Sequence, residues 1–334
     1  MLRGRLGSRR TERHLEDDVN VGAIPRFCRP FEVDTERTVS GSAPKDIIVV
    51  SPAEEYIAKG PSKGNSTACE CVTEELISRI GQLLPLKVAG SLLAVIRDKV
   101  RHPGVRFMSR VFLRRGDEQL RHGIDLVAAC FDLEKAQMAK EVRQGREERT
   151  FYTVELIDEV LAQTGRNEAE RKSLRNGFAS MIAFDALVGT NDRHSENWGI
   201  IENVKLKGER LRFAPVYDTA RGLFWNHSEE QLEERISSSK ERAHLIDAYA
   251  NGSRPLITTG RDTDSHFDVV RGVIKSHPEL GRSVRRIISA YNHQKVMAMM
   301  HTSFGRIMSR FRLELIAELL LFRHEKLTKI IRVI

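Results

Sequence analysis

The chain has 334 residues, 40% hydrophobic and 30% charged, with a net charge of +8. That balance supports a buried core and excludes wholesale disorder, and no apolar stretch approaches the roughly 20 residues that a bilayer crossing needs. The charge is uneven: residues 271–334 hold 13 Lys/Arg against 4 Glu, a net of +9, so the rest of the chain sums to −1.

Taken in chain order, residues 1–30 are Arg-rich without a clear period and are expected to form a flexible basic arm. They lack the apolar run of a secretory signal, which points to a cytoplasmic protein. Residues 31–115 read as a small β-rich lobe and residues 116–334 as a larger, mainly helical one, an α+β fold in two lobes. Asp46–Ser51 is a buried strand, and Glu55–Lys59 is a short strand beside it. Gly60–Thr67 is turn chemistry, after which Ser66 or Thr67 caps a helix over Cys69–Leu83, with Glu70 in its first turn. Val105–Leu113 is another strand. From Gly116 onward, helical periods run over 123–140, 153–163, 168–188, 228–248, 265–276, 281–300 and 305–331. Leu187–Asp218 interrupts them as helix end, loop and hairpin, with strands near Trp198–Lys205 and Arg210–Ala214 turning at Lys207-Gly208-Glu209. Cys28, Cys69, Cys71 and Cys130 are too few and too irregularly spaced for a disulfide scaffold or a zinc site, so free thiols are expected.

The interruption reads GTNDRHSENWGII and then LRFAPVYDTARG. Its informative residues are Asp192, Asn197 and Asp218. Phosphoryl transfer needs a carboxylate to orient an attacking hydroxyl and oxygen ligands for Mg²⁺, which takes one or two carboxylates plus phosphate oxygens. An Asp with an Asn five residues on supplies the base and one metal ligand from one loop. A second Asp beyond a hairpin brings a further ligand from the opposite side. Each residue alone is as readily a turn or cap residue; the combination carries the chemistry.

D-x-H-x-x-N, a hairpin and A-P-V-Y-D resemble the catalytic and metal loops of HipA-like serine/threonine kinases, in particular the compact members of that family. These are bacterial enzymes, often toxins of toxin–antitoxin pairs, whose fold is related to protein kinases and phosphoinositide kinases. The resemblance continues upstream. Ser40-Gly41-Ser42-Ala43-Pro44-Lys45 is similar to the family's phosphate loop, and Ile57-Ala58-Lys59 to the strand bearing the nucleotide lysine. Glu70, Leu76 and Gly81 fit the N-E-x5-L-x4-G pattern of the first long helix, with Cys69 where the family has Asn. Met108-Ser109-Arg110-Val111 resembles the strand into the interlobe hinge, and His122–Leu126 the segment just beyond it. The family's usual G-N-T-D is here Gly189-Thr190-Asn191-Asp192.

The resemblance implies a two-lobed kinase with ATP and Mg²⁺ in the cleft. Gly41, Ser42, Lys45, Lys59, Ser109 and Val111 would contact nucleotide, and Glu70 would hold the Lys59 ammonium. Asp192 would face the acceptor hydroxyl, His194 would brace the loop, and Asn197 and Asp218 would ligate the metal. Ser40 or Ser42 is the expected site of self-phosphorylation. The implied partners are a protein substrate and a DNA-binding antitoxin. Two other classes compete: a lipid or small-molecule kinase, since phosphoinositide kinases also write D-R-H-x-x-N, and a non-catalytic nucleic-acid-binding protein using the basic C-terminal quarter. Arg285, Arg286, Arg306, Arg310 and Arg312 there either face a nucleic-acid or acidic partner or form a solvated helix face.

Overall fold

The computed structural model describes residues 18–37, 39, 43–62, 68–134, 148–206 and 208–333. Ser40, Gly41, Ser42, Ser66, Thr67, Lys207 and the first seventeen residues of the expected arm lie outside the described residues.

Among the described residues, β1 (Glu32–Asp34), β2 (Lys45–Ser51), β3 (Glu54–Lys59), β4 (Ser91–Ile96) and β5 (Gly104–Arg110) form an antiparallel sheet in the order β1-β2-β3-β5-β4. Helix α1 (Ala68–Gln82) joins β3 to β4. Register decides what meets the cleft. Lys59 lies opposite Lys45 on β2 and Phe107 on β5, and Ile57 opposite Ser109. Strand side chains alternate between faces, so these five share one face. Ile48, Tyr56, Ala58 and Met108 take the other, where Ala94 and Ile96 join them under Phe27 and Phe31.

The second lobe begins with β6 (Glu118–His122), α2 (Gly123–Cys130), a short α3 (Glu148–Phe151), α4 (Val154–Thr164) and α5 (Glu168–Val188). The strands β7 (Gly199–Asn203) and β8 (Arg212–Phe213) follow and pair with β6 in the order β6-β7-β8. The chain ends in α6 (Glu229–Glu234), α7 (Ser239–Gly252), α8 (His266–Ser276), α9 (Pro278–Ala290), α10 (His293–Phe304) and α11 (Arg310–Val333). Helix α5 is the axis of this lobe, with Phe178, Phe184 and Leu187 fully buried. The Asn167 side chain caps its start by accepting from Glu170 N, and Gly189 at φ +74° ends it in the left-handed region, where a side chain would be strained.

Several expected elements are corrected. The helix expected over 123–140 stops at Cys130, and that over 228–248 divides because Ser238 accepts from Glu241 N and starts α7. The period over 281–300 spans two helices. Tyr291 is extended, and the Asn292 side chain caps α10 by accepting from Lys295 N at 3.0 Å. The strand expected at Val105–Leu113 ends at Arg110, and the structure adds β1, β4 and β6, which periodicity does not single out.

Residues 18–30 are a strap joining the lobes, not an arm. Asn20 N donates to Ile307 O in the helical lobe (2.8 Å), and Phe27 N donates to Val95 O on β4 (3.0 Å). The strap is anchored by Asp18, which accepts from Arg312 Nη2 at 2.8 Å, with both side chains buried, and from Glu229 N at 2.9 Å. Removing one member strands a buried charge. Asp18→Ala is therefore expected to lower stability by about 3–5 kcal/mol, read as an earlier urea midpoint. An unmoved midpoint would show that the strap does not hold the lobes.

The basic C-terminal quarter is likewise not one surface. Arg312 is buried against Asp18, and Arg323 is buried with donors on Ala186 O and Ala250 O. Arg310 bonds Glu314, and half-buried Arg285 reaches Ile331 O. Two of the quarter's arginines, Arg312 and Arg323, thus serve packing, while Arg282, Arg286 and Arg306 are exposed.

Candidate active site

Between the lobes lies a cavity of about 240 Å³. The sheet contributes Lys45, Ile57, Lys59, Phe107 and Ser109 to its lining, with Val111 just beyond β5, and the helical lobe contributes His122, His194, Asn197, Tyr217 and Asp218. Of the nucleotide residues expected from sequence, Lys45, Lys59, Ser109 and Val111 meet here; Gly41 and Ser42 lie outside the described residues.

Lys59 organises the site. Its Nζ donates to Asp218 Oδ1 at 2.7 Å, a pair 159 residues apart in sequence. The same ammonium lies 3.1 Å from Glu74 Oε2. Glu70, expected to hold Lys59, does not: its carboxylate accepts from Ser62 N at 2.8 Å and Ser62 Oγ at 2.7 Å. Glu74 sits one helical turn further along α1, where Lys59 at the end of β3 reaches it. Sequence reasoning missed Glu74 because four residues' displacement along a helix leaves the face unchanged.

The electrostatics separate the two carboxylates. Burial alone would lower the Lys59 pKa, but the charges of Glu74 and Asp218 outweigh it and hold Lys59 above the ordinary lysine value. Burial works to raise Asp218, yet the Lys59 charge and hydrogen bond prevail and hold it at about 2. Burial wins at Glu74, which is pushed up to about 7 against an ordinary 4.5. Since its folded value is raised, Glu74 contributes stability in full below its free-chain value, and that contribution is lost as pH rises through about 7. Asp218 runs the opposite way, contributing above its ordinary 3.8 and losing that contribution as pH falls through about 2. Denaturant melts across pH should therefore show wild type losing stability relative to Glu74→Gln between about pH 4.5 and 7. A constant difference over that window would exclude the raised carboxyl.

The loop after α5 is held from beneath by Arg193, fully buried and also missed in the sequence. Its guanidinium donates twice to Asp185 on α5 at 2.8 Å, and Nη1 reaches Asn197 O (2.8 Å) and Tyr217 O (2.7 Å). One side chain thus ties helix, loop and the segment leading to Asp218. The sequence signal was the Arg in D-R-H, but a buried Arg is visible only once its partners converge. His194 braces the loop, Nδ1 accepting from Glu196 N at 3.2 Å. Asn197 Nδ2 donates to Asp192 O at 2.8 Å, which leaves its Oδ1 as a hard oxygen donor. Asp192 carries Arg221 at 3.3 Å, and burial raises its pKa above the ordinary aspartate value. Trp198, stacked on Phe213, lies so close to Gly123 that a Cβ there would approach the indole to 2.2 Å.

Asp218 has φ +52°, a left-handed conformation that costs a residue bearing a Cβ about 1 kcal/mol or more. Lys45 and Lys59 are a like-charged cross-strand pair, an arrangement that disfavours the sheet. Burial accordingly lowers the Lys45 pKa. Two ammonium groups side by side, facing Asp218 and the Asn197 oxygen, are a place for a polyanion and a divalent cation.

Residues 37–290 match the model of the HipA-like C-terminal domain family. The serine/threonine-protein kinase CtkA of Helicobacter pylori is 25% identical over 203 residues, covering 59% of this chain and 55% of that relative's length. The crystal structure of a Helicobacter pylori proinflammatory kinase CtkA superposes over 93% of this chain and 97% of its own, with TM-score 0.70 and 19% identity, a likeness of fold. The Shewanella oneidensis MR-1 HipA structure, with HipB and operator DNA, covers 89% of this chain and 66% of that one at TM-score 0.44 and 12% identity.

Proposed function

The chain belongs to the HipA-like C-terminal domain family, and on that premise we propose that it is an ATP- and Mg²⁺-dependent kinase transferring phosphate to serine or threonine hydroxyls of a protein. The observation that carries this reading is the meeting of Lys59, Asp218 and Asn197, from three separate segments, around one cavity.

The residues present fit both groups. Asp218 and the Asn197 Oδ1 are the hard oxygen donors that Mg²⁺ prefers, and Lys45 and Lys59 bring two ammonium groups to the cavity where the phosphates of a nucleotide would lie. Bound there, Mg²⁺ supplies charge neutralisation on the phosphate oxygens. Lys59 neutralises phosphate charge, and Glu74 fixes its ammonium in the cleft. Asp192 orients the acceptor hydroxyl and takes up its proton. Arg193 and His194 hold Asp192 and Asn197 in register, so that the transfer draws on positioning and fixed electrostatics. Ser40 or Ser42 is the acceptor for self-phosphorylation: a phosphoserine carries close to two negative charges and would compete with nucleotide for Lys59. A toxin role further requires an antitoxin, and a small helix-turn-helix protein encoded alongside would supply one.

The test is phosphate incorporation from labelled Mg-ATP into the purified chain and a generic protein acceptor. Wild type should incorporate label, and Asp192→Ala should lose at least about a hundredfold of it without a change in melting temperature. Mass spectrometry of the product should find phosphate on Ser40 or Ser42. Equal incorporation by Asp192→Ala would overturn the assignment of the base, and phosphate confined to another segment would retire self-regulation by this loop.

A further inference from the structure

On the far side of the segment leading to Asp218 lies a second concave surface, outside the cleft. One hollow of about 540 Å³ runs between residues 84–87, α5 and β8, over a floor that includes Leu84, Leu86, Phe213 and Val216. Another of about 400 Å³ continues between α5 and α9, with Lys172 and Arg282 at its wall. Asn176 and Arg286 line both, so the two adjoin as one groove.

Lys87, Lys172, Arg282 and Arg286 are exposed along this groove, and none forms an ion pair among the described residues. Arg175 and Arg212, which also line it, are engaged by Asp158 and Glu118. The groove therefore offers unengaged cations beside an apolar floor. A nucleic-acid backbone would use the cations but not the floor. An extended peptide uses both. Its carboxylates take paired N–H donors from Arg282 and Arg286, and its apolar side chains settle on Leu86 and Phe213.

We propose that this groove docks an extended segment of a partner protein in which Asp or Glu alternates with apolar residues. The groove and the cleft share one segment. Val216 forms floor here, while Tyr217 and Asp218 line the cavity on the opposite side. Val216 N donates to Lys87 O at 2.8 Å and Val216 O accepts from Ala89 N at 2.9 Å, so the floor is also a backbone junction between the lobes. The inference rests on the groove alone and stands apart from the kinase assignment, since binding is measured without nucleotide.

The experiment is fluorescence anisotropy of the full chain with a labelled peptide of repeating Glu-Leu. Saturable binding that weakens with salt is expected. It should fall at least about tenfold in Arg282→Glu/Arg286→Glu and stay within about twofold in Lys329→Glu, an exposed position on α11 that does not line the groove. Should the double variant melt early, Lys172→Glu on the exposed side of α5 replaces it, with a smaller loss expected. Equal binding of a Gln-Leu peptide, or undiminished binding in the reversed variants, would overturn the proposal. So would a DNA duplex that binds more tightly at the same salt and is lost in the same variants, which would assign the groove to nucleic acid.

Discussion

Asp218→Asn is expected to cut turnover at least about a hundredfold while leaving the fold intact. The substitution keeps the side chain's volume and removes one negative charge from the cleft. Lys59 is not stranded, because Glu74 Oε2 remains 3.1 Å from its ammonium. The carboxylate is held charged at about 2 by Lys59, so at neutral pH the wild-type site presents a full negative charge where the metal would bind. An amide offers one oxygen and no charge. The thermal stabilisation given by Mg-ATP should shrink in parallel, since a ligand that binds only the folded chain stabilises it by RT ln(1 + [L]/Kd), which falls as Kd rises. Turnover near that of wild type would remove Asp218 from the metal site and leave it a partner of Lys59 alone.

Lys59→Met and Glu74→Gln are expected to fail as a unit. Each should slow transfer at least about tenfold, and the double variant should be little worse than Lys59→Met alone, because Glu74 acts only through the ammonium it positions. Glu70→Gln supplies the contrast: its carboxylate holds Ser62, not Lys59, and its loss should be several-fold at most. Additive losses at Lys59 and Glu74, or an effect of Glu70→Gln matching that of Glu74→Gln, would return Glu70 to the role that its place in the helix suggests.

That exchange shows where sequence and structure part. The strand ending in Lys59, the helix after it, the long helix 168–188 and the loop holding Asp192 and Asn197 were all legible, because alternation, helical period and capping are local properties of the chain. The choice between Glu70 and Glu74 was not. Both lie on one face of α1, one turn apart, and about 6 Å along the axis separates a carboxylate at the Ser62 turn from one at Lys59. Only the seating of α1 against β4 and β5 decides which of them meets the lysine.

The same holds for residues that work from beneath. Arg193 is one letter in D-R-H until Asp185, Asn197 and Tyr217 converge on it. Asp18 is one acid in an Arg-rich stretch until Arg312, 294 residues away, closes on it and turns an expected arm into a strap. By itself the sequence determined the chemistry available, namely the lysine, the two aspartates, the asparagine and the α+β order of elements, because residue type and local period need no partner. The tertiary structure decided which charges are paired, which arginines of the basic quarter are buried and which line a groove, because burial and ion pairing depend on separations that no local pattern encodes.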